Sequence, residues 1–313
     1  MNEEQRFAFD TWGFLVIEDA LSPAQVAALK TTIDEKGPDL HSQHSDRGGF
    51  DRSGFWSQEF VDLLDLPPLA PLLDEIYGGA QPDGLPAYRI DHINVHTHGK
   101  FNKDLAGGTI HGSNDRLLHP ERPRELVTQY FERDAATGAF SNGLVTVAFE
   151  LEDTVCNGGG FGCLAGSHKA HYPVPAGWRD LSKGVHPMVT RVPAPPGAAI
   201  IFTEALCHVT LPWTVPNART TLFYKYTPSG EAYSGPDKLL FSPFGRVFFD
   251  PSDADGWQGA DERKRGLLTP PPQAFVERKA QLAVKKGNAC TKSPPQTLAP
   301  TRRYSRPLGS DTE

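Results

Sequence analysis

The sequence predicts a mainly β protein with flanking helices, an α+β chain built on a β-sandwich or barrel. The central region supplies the main observation, a series of segments with alternating or continuously apolar character. They are AYRIDHINVH (87–96), LVTVAFELED (144–153), MVTRVPAP (188–195), AAIIFT (198–203) and RTTLFYKY (219–226). Such segments are typical of strands, and the Gly- and Pro-rich joints between them are typical of turns. Segments with helical spacing come before them.

The first of these helices is expected over residues 3–10, and residues 12–19 (WGFLVIED) predict a strand. Ser22 is expected to cap a second helix that runs to about residue 35. Pro23 takes its first helical position, and apolar residues follow at helical spacing.

Residues 36–56 are polar and Gly-rich, which predicts a loop. Residues 57–78 predict two short helices, because Pro67 and Pro68 interrupt an otherwise helical pattern. Beyond about residue 228 the periodicity weakens. One domain is expected over residues 1–285, followed by a disordered Pro/Ser/Thr-rich tail over 286–313.

Composition excludes several classes of protein. The 313 residues carry a net charge of −7 without a basic cluster, which argues against a nucleic-acid surface. No apolar run approaches the ~18–20 residues of a membrane span, and the acidic start does not resemble a secretory signal. The cysteines lack the spacing of a zinc site or a disulfide framework. A cytoplasmic location is expected.

A histidine and an arginine near the last two strands are the first candidates for chemistry. His208 stands eleven positions before Arg219 (219 − 208 = 11). If residues 198–203 and 219–226 form neighbouring antiparallel strands, both side chains point into one barrel mouth. Imidazole suits a first-row metal, and arginine binds a carboxylate with two parallel hydrogen bonds. Lys225 shares a strand face with Arg219, and lies either near the same cavity or in solvent.

Four segments resemble the phytanoyl-CoA dioxygenase family of iron(II)/2-oxoglutarate oxygenases. They are WGFLVIEDALSPAQVAALKTTID, GGGFGCLAGSHKAHY, PGAAIIFTEALCHVTLPW and NARTTLFYKY, and the likeness covers residues 5 to 228. The resemblance implies a cupin-like jelly-roll, the double-stranded β-helix, which holds Fe²⁺ by two histidines and a carboxylate. It also implies 2-oxoglutarate as co-substrate with O₂. His208 matches the distal histidine, and Arg219 matches the arginine that holds the far carboxylate of the keto-acid.

The proximal ligands are less regular. The family has an H-x-D motif there, and the best match, LAGGTIHGSND, places His111 in the histidine position but Ser113 in the carboxylate position. Serine is a poor ligand for iron(II). The third ligand is therefore expected from Asp115, Asp91 or Glu204, or the third position is open.

These alternatives predict different activities. A supplied carboxylate predicts hydroxylation of an unactivated C–H bond in a small-molecule or lipid-like substrate. An open position predicts a halogenase, as in relatives of the same superfamily. A barrel that has lost iron predicts a non-catalytic binding module. No catalytic residue is predicted outside the metal centre, and the sequence indicates neither a particular substrate nor an oligomeric state.

Three further residues are expected in the substrate pocket. Trp213 follows a proline at a strand end, and His92 lies on the alternating segment 87–96. Ser167 belongs to a Gly-rich stretch that resembles the PGSH loop of the family, with Ala165 in place of the proline. Glycines in such a loop allow backbone to approach a site closely.

Overall fold

The computed structural model describes residues 1–43, 58–79, 81–82, 84–98, 108–155, 158–233, 261–269 and 271–290. Its α-helices are α1 (Glu3–Trp12), α2 (Pro23–Gln43), α3 (Gln58–Asp62), α4 (Ala70–Ile76), α5 (Asp115–Leu118), α6 (Ala176–Arg179), α7 (Glu262–Leu267) and α8 (Gln273–Cys290). Its strands are β1 (Phe14–Ile17), β2 (Tyr88–His98), β3 (Phe131–Arg133), β4 (Phe140–Asn142), β5 (Val145–Glu150), β6 (Gly160–Cys163), β7 (Thr190–Val192), β8 (Ala199–Thr203), β9 (His208–Leu211) and β10 (Arg219–Pro228).

The strands form two main sheets. The major sheet has the order β1-β8-β5-β10-β2, the minor sheet has the order β7-β6-β9, and β3 and β4 form a separate hairpin. Neighbouring strands are antiparallel throughout. One apolar cluster joins Phe14, Ile200 and Phe202 of the major sheet to Phe161 and Val192 of the minor sheet. The two sheets therefore pack face to face, which is the jelly-roll arrangement that the resemblance implied.

The opposite face of the major sheet packs on helices. Phe9 and Leu29 of the helices join Val147, Ile201 and Leu222 of the sheet in the largest apolar cluster. Strands β5 and β8 are therefore buried along their whole length. This two-sided burial explains why their sequences are nearly continuous in apolar residues and do not alternate.

The N-terminal elements follow the sequence closely. Ser22 and Gln25 form a capping box, in which the Gln25 amide donates to Ser22 Oγ and the Ser22 amide donates to Gln25 Oε1. The helix that they start continues to Gln43, although a loop was predicted from residue 36. Pro67 and Pro68 separate the α3 segment from α4, as predicted.

The predicted pairing of the last strands is wrong. Strand β5 lies between β8 and β10, so these two strands are not neighbours. His208 was predicted to lie just past the end of the strand at 198–203, in the turn that leads to the next strand of the same sheet. It is instead the first residue of β9, which belongs to the minor sheet. The four residues of β9 are too few to show a periodicity, and the Pro- and Asn-containing segment after them suggested a single turn.

The C-terminal helix α8 extends to Cys290, so residues 286–290 are helical where the tail was predicted to begin. The rest of the predicted tail, 291–313, lies outside the described residues. Among the helices that are described, none is both long and apolar enough to cross a membrane.

Candidate metal centre

Backbone pairing brings the two predicted histidines together. The His111 amide donates to the His208 carbonyl at 3.0 Å, and the His208 amide donates to the His111 carbonyl at 2.8 Å. Residues that exchange both hydrogen bonds stand directly opposite each other in an antiparallel pair. Their imidazole centroids are accordingly only 4.2 Å apart.

Both rings use the same nitrogen for a backbone contact. Nδ1 of His111 lies 2.9 Å from the Thr109 carbonyl oxygen, and Nδ1 of His208 lies 2.7 Å from the Leu206 carbonyl oxygen. A carbonyl oxygen can only accept, so each Nδ1 carries the hydrogen and each Nε2 keeps its lone pair. Backbone bonds of this kind fix the tautomer and orientation of metal-binding histidines.

Glu204 brings a carboxylate to the same place. Its Oε2 lies 3.6 Å from His208 Nε2, while its Oε1 accepts hydrogen bonds from Lys225 Nζ at 2.7 Å and Thr146 Oγ1 at 2.5 Å. The side chain of Glu204 is almost completely buried. Burial raises the pKa of Glu204, but the charge of Lys225 and the hydrogen bonds from Lys225 and Thr146 outweigh burial and hold it well below its usual range. The carboxylate is therefore ionised, with one oxygen held and the other facing the imidazoles.

Burial also controls the protonation of His208. It lowers the pKa of His208 to about 4, although the nearby Glu204 carboxylate acts in the opposite direction. At neutral pH the ring is uncharged, which is the form that binds metals.

The donor set fits a divalent transition metal. The ligand atoms of His111, Glu204 and His208 all lie within 4.8 Å of one another, and no other group of three metal-binding side chains meets this condition in the part of the chain that the structure describes. Two donors that share one ion at ~2.1 Å each are at most ~4.2 Å apart, and the 3.6 Å between His208 Nε2 and Glu204 Oε2 satisfies that limit. Two histidines and a carboxylate with open positions are the ligands of non-heme iron(II) enzymes.

The other predicted carboxylates are bound elsewhere. Asp115 accepts from Ser113 Oγ and Arg122 Nη1, both at 2.8 Å, so each of its oxygens is already occupied. Asp91 is buried and accepts from His92 Nδ1 at 2.7 Å and the Tyr233 amide at 2.9 Å. Neither aspartate belongs to the group around the histidines.

Arg219 already has a carboxylate partner, which the sequence did not lead us to expect. Its Nε donates to Glu150 Oε2 at 3.0 Å and its Nη2 donates to Glu150 Oε1 at 2.5 Å. Thr221 Oγ1 also donates to Glu150 Oε2, at 2.9 Å. The side chains of Arg219 and Glu150 are 1% and 0% exposed. Nη1 of Arg219 is buried without a hydrogen-bond partner among the described residues.

The three predicted pocket residues each contact a different part of the chain. Trp213 is buried, and its Nε1 donates to the Asn217 carbonyl at 2.5 Å within its own turn. Ser167 Oγ accepts from the Cys207 amide at 2.8 Å, which fixes the backbone next to His208. His92 is partly buried and stacks on Tyr233 with ring centroids 5.7 Å apart. Their predicted contacts with a substrate remain predictions.

Sequence reasoning missed Glu150 and left Lys225 undecided. Glu150 is an acidic residue at the end of a strand whose other members are apolar or threonine, and such a residue needs a buried partner. That signal was available in the sequence. The position of Lys225 depends on strand register, which places it opposite Thr146 and so beside Glu204.

No family model matches the chain, and no curated protein matches it. Solved structures of HygX from Streptomyces hygroscopicus do match. The apo structure is 22% identical with a TM-score of 0.59, covering 76% of this chain and 91% of HygX. The structure with iron bound is 22% identical with a TM-score of 0.58, over 76% and 91% of the two chains. The structure with nickel, 2-oxoglutarate and hygromycin B bound is 21% identical with a TM-score of 0.57, over 76% and 92%. At this identity the likeness shows the fold, a jelly-roll with flanking helices.

Proposed function

We propose that the chain is an iron(II)/2-oxoglutarate-dependent dioxygenase related to the phytanoyl-CoA dioxygenase family. We also propose that residues 1–285 of the chain form a single domain, with α8 continuing to Cys290. The observation that carries the proposal is the convergence of His111, His208 and Glu204 inside a jelly-roll. The two Nε2 atoms and Oε2 of Glu204 would hold Fe²⁺. The bound iron, with 2-oxoglutarate and O₂, would supply the oxidation of an unactivated C–H bond.

The remaining side chains would prepare this site. Thr109 and Leu206 carbonyl oxygens fix the two imidazoles, and Lys225 and Thr146 fix Glu204. These contacts set the ligand geometry before a metal arrives, which reduces the entropic cost of binding it. The ring of His111 is exposed whereas His208 and Glu204 are buried, so co-substrate and substrate would approach from the His111 side.

Hydroxylation is favoured over halogenation because a carboxylate is present beside the histidines. A halogenase leaves that position for a halide, and here Glu204 is buried, ionised and oriented by two hydrogen bonds. A small-molecule substrate is supported by the HygX structure that contains hygromycin B. A non-catalytic binding module does not explain why the ligand atoms of His111, Glu204 and His208 converge.

Anaerobic titration with Fe²⁺ and 2-oxoglutarate tests the proposal. We expect a weak metal-to-ligand charge-transfer band and, after exposure to air, formation of succinate. Glu204→Gln should abolish the band, and Ser113→Ala is the matched control that should keep it, because Ser113 contacts Asp115 and not the histidines. A wild-type protein that shows neither the band nor succinate would contradict the proposal and favour a binding module.

A further inference from the structure

Arg219 is a binding site for a carboxylate, and the Glu150 side chain already supplies one. Two parallel hydrogen bonds join the groups, and Thr221 adds a third to Glu150. Both side chains are buried, and together they carry no net charge. The sequence pattern predicts that Arg219 binds the far carboxylate of 2-oxoglutarate. In the structure, the side chain of Glu150 binds Arg219 instead.

The pair nevertheless leaves one donor unused. A guanidinium has five N–H donors, and Nε and Nη2 serve Glu150. Nη1 is buried and has no partner among the described residues. Buried polar groups of native proteins are nearly always hydrogen-bonded, so Nη1 is the donor that an incoming acceptor would satisfy.

We propose that Glu150 sets the affinity of the protein for its co-substrate by opposing the far carboxylate of 2-oxoglutarate at Arg219. This inference rests on the proposed function. Nη1 is the donor left for the incoming carboxylate, which must either share the guanidinium with Glu150 or displace it. In both cases a second negative charge enters a buried site whose positive charge is already neutralised, and that is unfavourable.

The test compares Glu150→Gln with Glu152→Gln. Glutamine keeps the size of Glu150 but removes its charge. Glu152 is a suitable control because it follows two residues later and is also bound, to the Thr220 amide at 2.5 Å and to Lys30 Nζ at 2.8 Å, but not to Arg219. Each protein is loaded with Fe²⁺ without oxygen and titrated with 2-oxoglutarate and, separately, with pyruvate, which chelates in the same way but lacks a far carboxylate.

We expect Glu150→Gln to lower the Kd for 2-oxoglutarate about tenfold or more, equivalent to ~1.4 kcal/mol, and to leave the Kd for pyruvate unchanged. Glu152→Gln should change neither. An unchanged or higher Kd for 2-oxoglutarate in Glu150→Gln would overturn the inference, as would an equal change for both keto-acids. If iron itself does not bind to the wild type, the proposed function fails at the first step and the inference fails with it.

A second measurement does not depend on the variant being folded. A crystal structure of the wild type with Ni²⁺ and 2-oxoglutarate should show the far carboxylate within hydrogen-bond distance of Arg219. A far carboxylate bound elsewhere, with the Glu150–Arg219 pair unchanged and Nη1 still unpartnered, would overturn the inference.

Discussion

Two buried carboxylates pair with cations on the same strand, β10, yet they differ in what they leave available. Glu204 uses Oε1 for Lys225 and Thr146, whereas its Oε2 lies 3.6 Å from Nε2 of His208, the ring nitrogen that keeps its lone pair. Glu150 uses both oxygens for Arg219. Glu204 therefore keeps one oxygen available as a ligand, whereas Arg219 engages both oxygens of Glu150.

The difference follows from the cation and from strand register. Lysine offers a single charged nitrogen, which binds one oxygen, whereas the planar guanidinium matches both oxygens of a carboxylate. Register then selects the partners, because Lys225 stands opposite Thr146 and Thr221 stands opposite Glu150. Both arrangements use residues of β5 and β10, but Glu204 itself follows the end of β8.

The largest effect is expected from breaking the Glu150–Arg219 pair. Glu150→Ala should lower the free energy of unfolding by about 3–5 kcal/mol, because it leaves Arg219 buried without a counter-charge. Glu152→Ala removes a pair with the half-exposed Lys30 and one hydrogen bond from the Thr220 amide, and should cost less, about 1–2 kcal/mol. Urea denaturation followed by circular dichroism measures both. Equal losses in the two variants would contradict the structural role of the pair.

A buried histidine whose charged form is opposed mainly by burial extends this comparison. His168 is fully buried, and its Nε2 lies 3.0 Å from the Asp10 carbonyl oxygen. Burial lowers the pKa of His168 from 6.5 to about 4, so between these values the unfolded chain binds a proton that the folded chain does not. The contribution of His168 to stability should be complete above pH 6.5 and should fall by ~3 kcal/mol as the pH drops through this window.

Replacing that side chain should remove part of this pH dependence. Urea denaturation of His168→Gln at pH 7 and pH 4.5 should show a smaller difference in unfolding free energy than the wild type shows. His119→Gln, at a partly exposed histidine, should behave as the wild type. A wild-type slope in His168→Gln would show that another group is responsible.

A smaller effect is expected at Lys225. Lys225→Met should raise the Kd for Fe²⁺ or Co²⁺ by about 10- to 100-fold, the usual consequence of losing a partner that orients a metal ligand. Calorimetry of metal binding measures it. Lys30→Met, which removes a lysine from Glu152 instead, is the control and should bind metal as the wild type does. A Lys225→Met variant with unchanged affinity would show that Thr146 alone orients Glu204.

From local patterns the sequence predicted six of the ten described strands and singled out His111 and His208. Strands β3, β4, β6 and β9, of three or four residues each, were not predicted. His208 and His111 were recognisable from their motifs, although the damaged H-x-D motif left the carboxylate undecided among Asp115, Asp91, Glu204 and an open position. The choice could not be made from sequence, because it depends on which donors bind each carboxylate. Asp115 is held by Arg122, seven positions away, and Glu204 by Lys225 and Thr146 on other strands.

The sequence indicates that Glu150 needs a buried partner, but it does not identify Arg219 as that partner. Sequence spacing relates Arg219 to His208, but β5, which carries Glu150, reaches Arg219 only through the strand order of the major sheet. Because β8 was predicted to pair with β10, β5 was not expected beside β10, and the contact between Glu150 and Arg219 was not predicted. Placing β9 in the minor sheet would have left β5 as a candidate neighbour for β10.

The most direct test of the account is a crystal structure of the protein loaded with Fe²⁺ or Co²⁺, with the ion located by anomalous scattering. We predict one ion bound by Nε2 of His111, Nε2 of His208 and Oε2 of Glu204, with Lys225 still on Oε1. An ion held by Asp115 or Asp91, or an empty site at saturating metal, would contradict the central claim that Glu204 completes the metal centre.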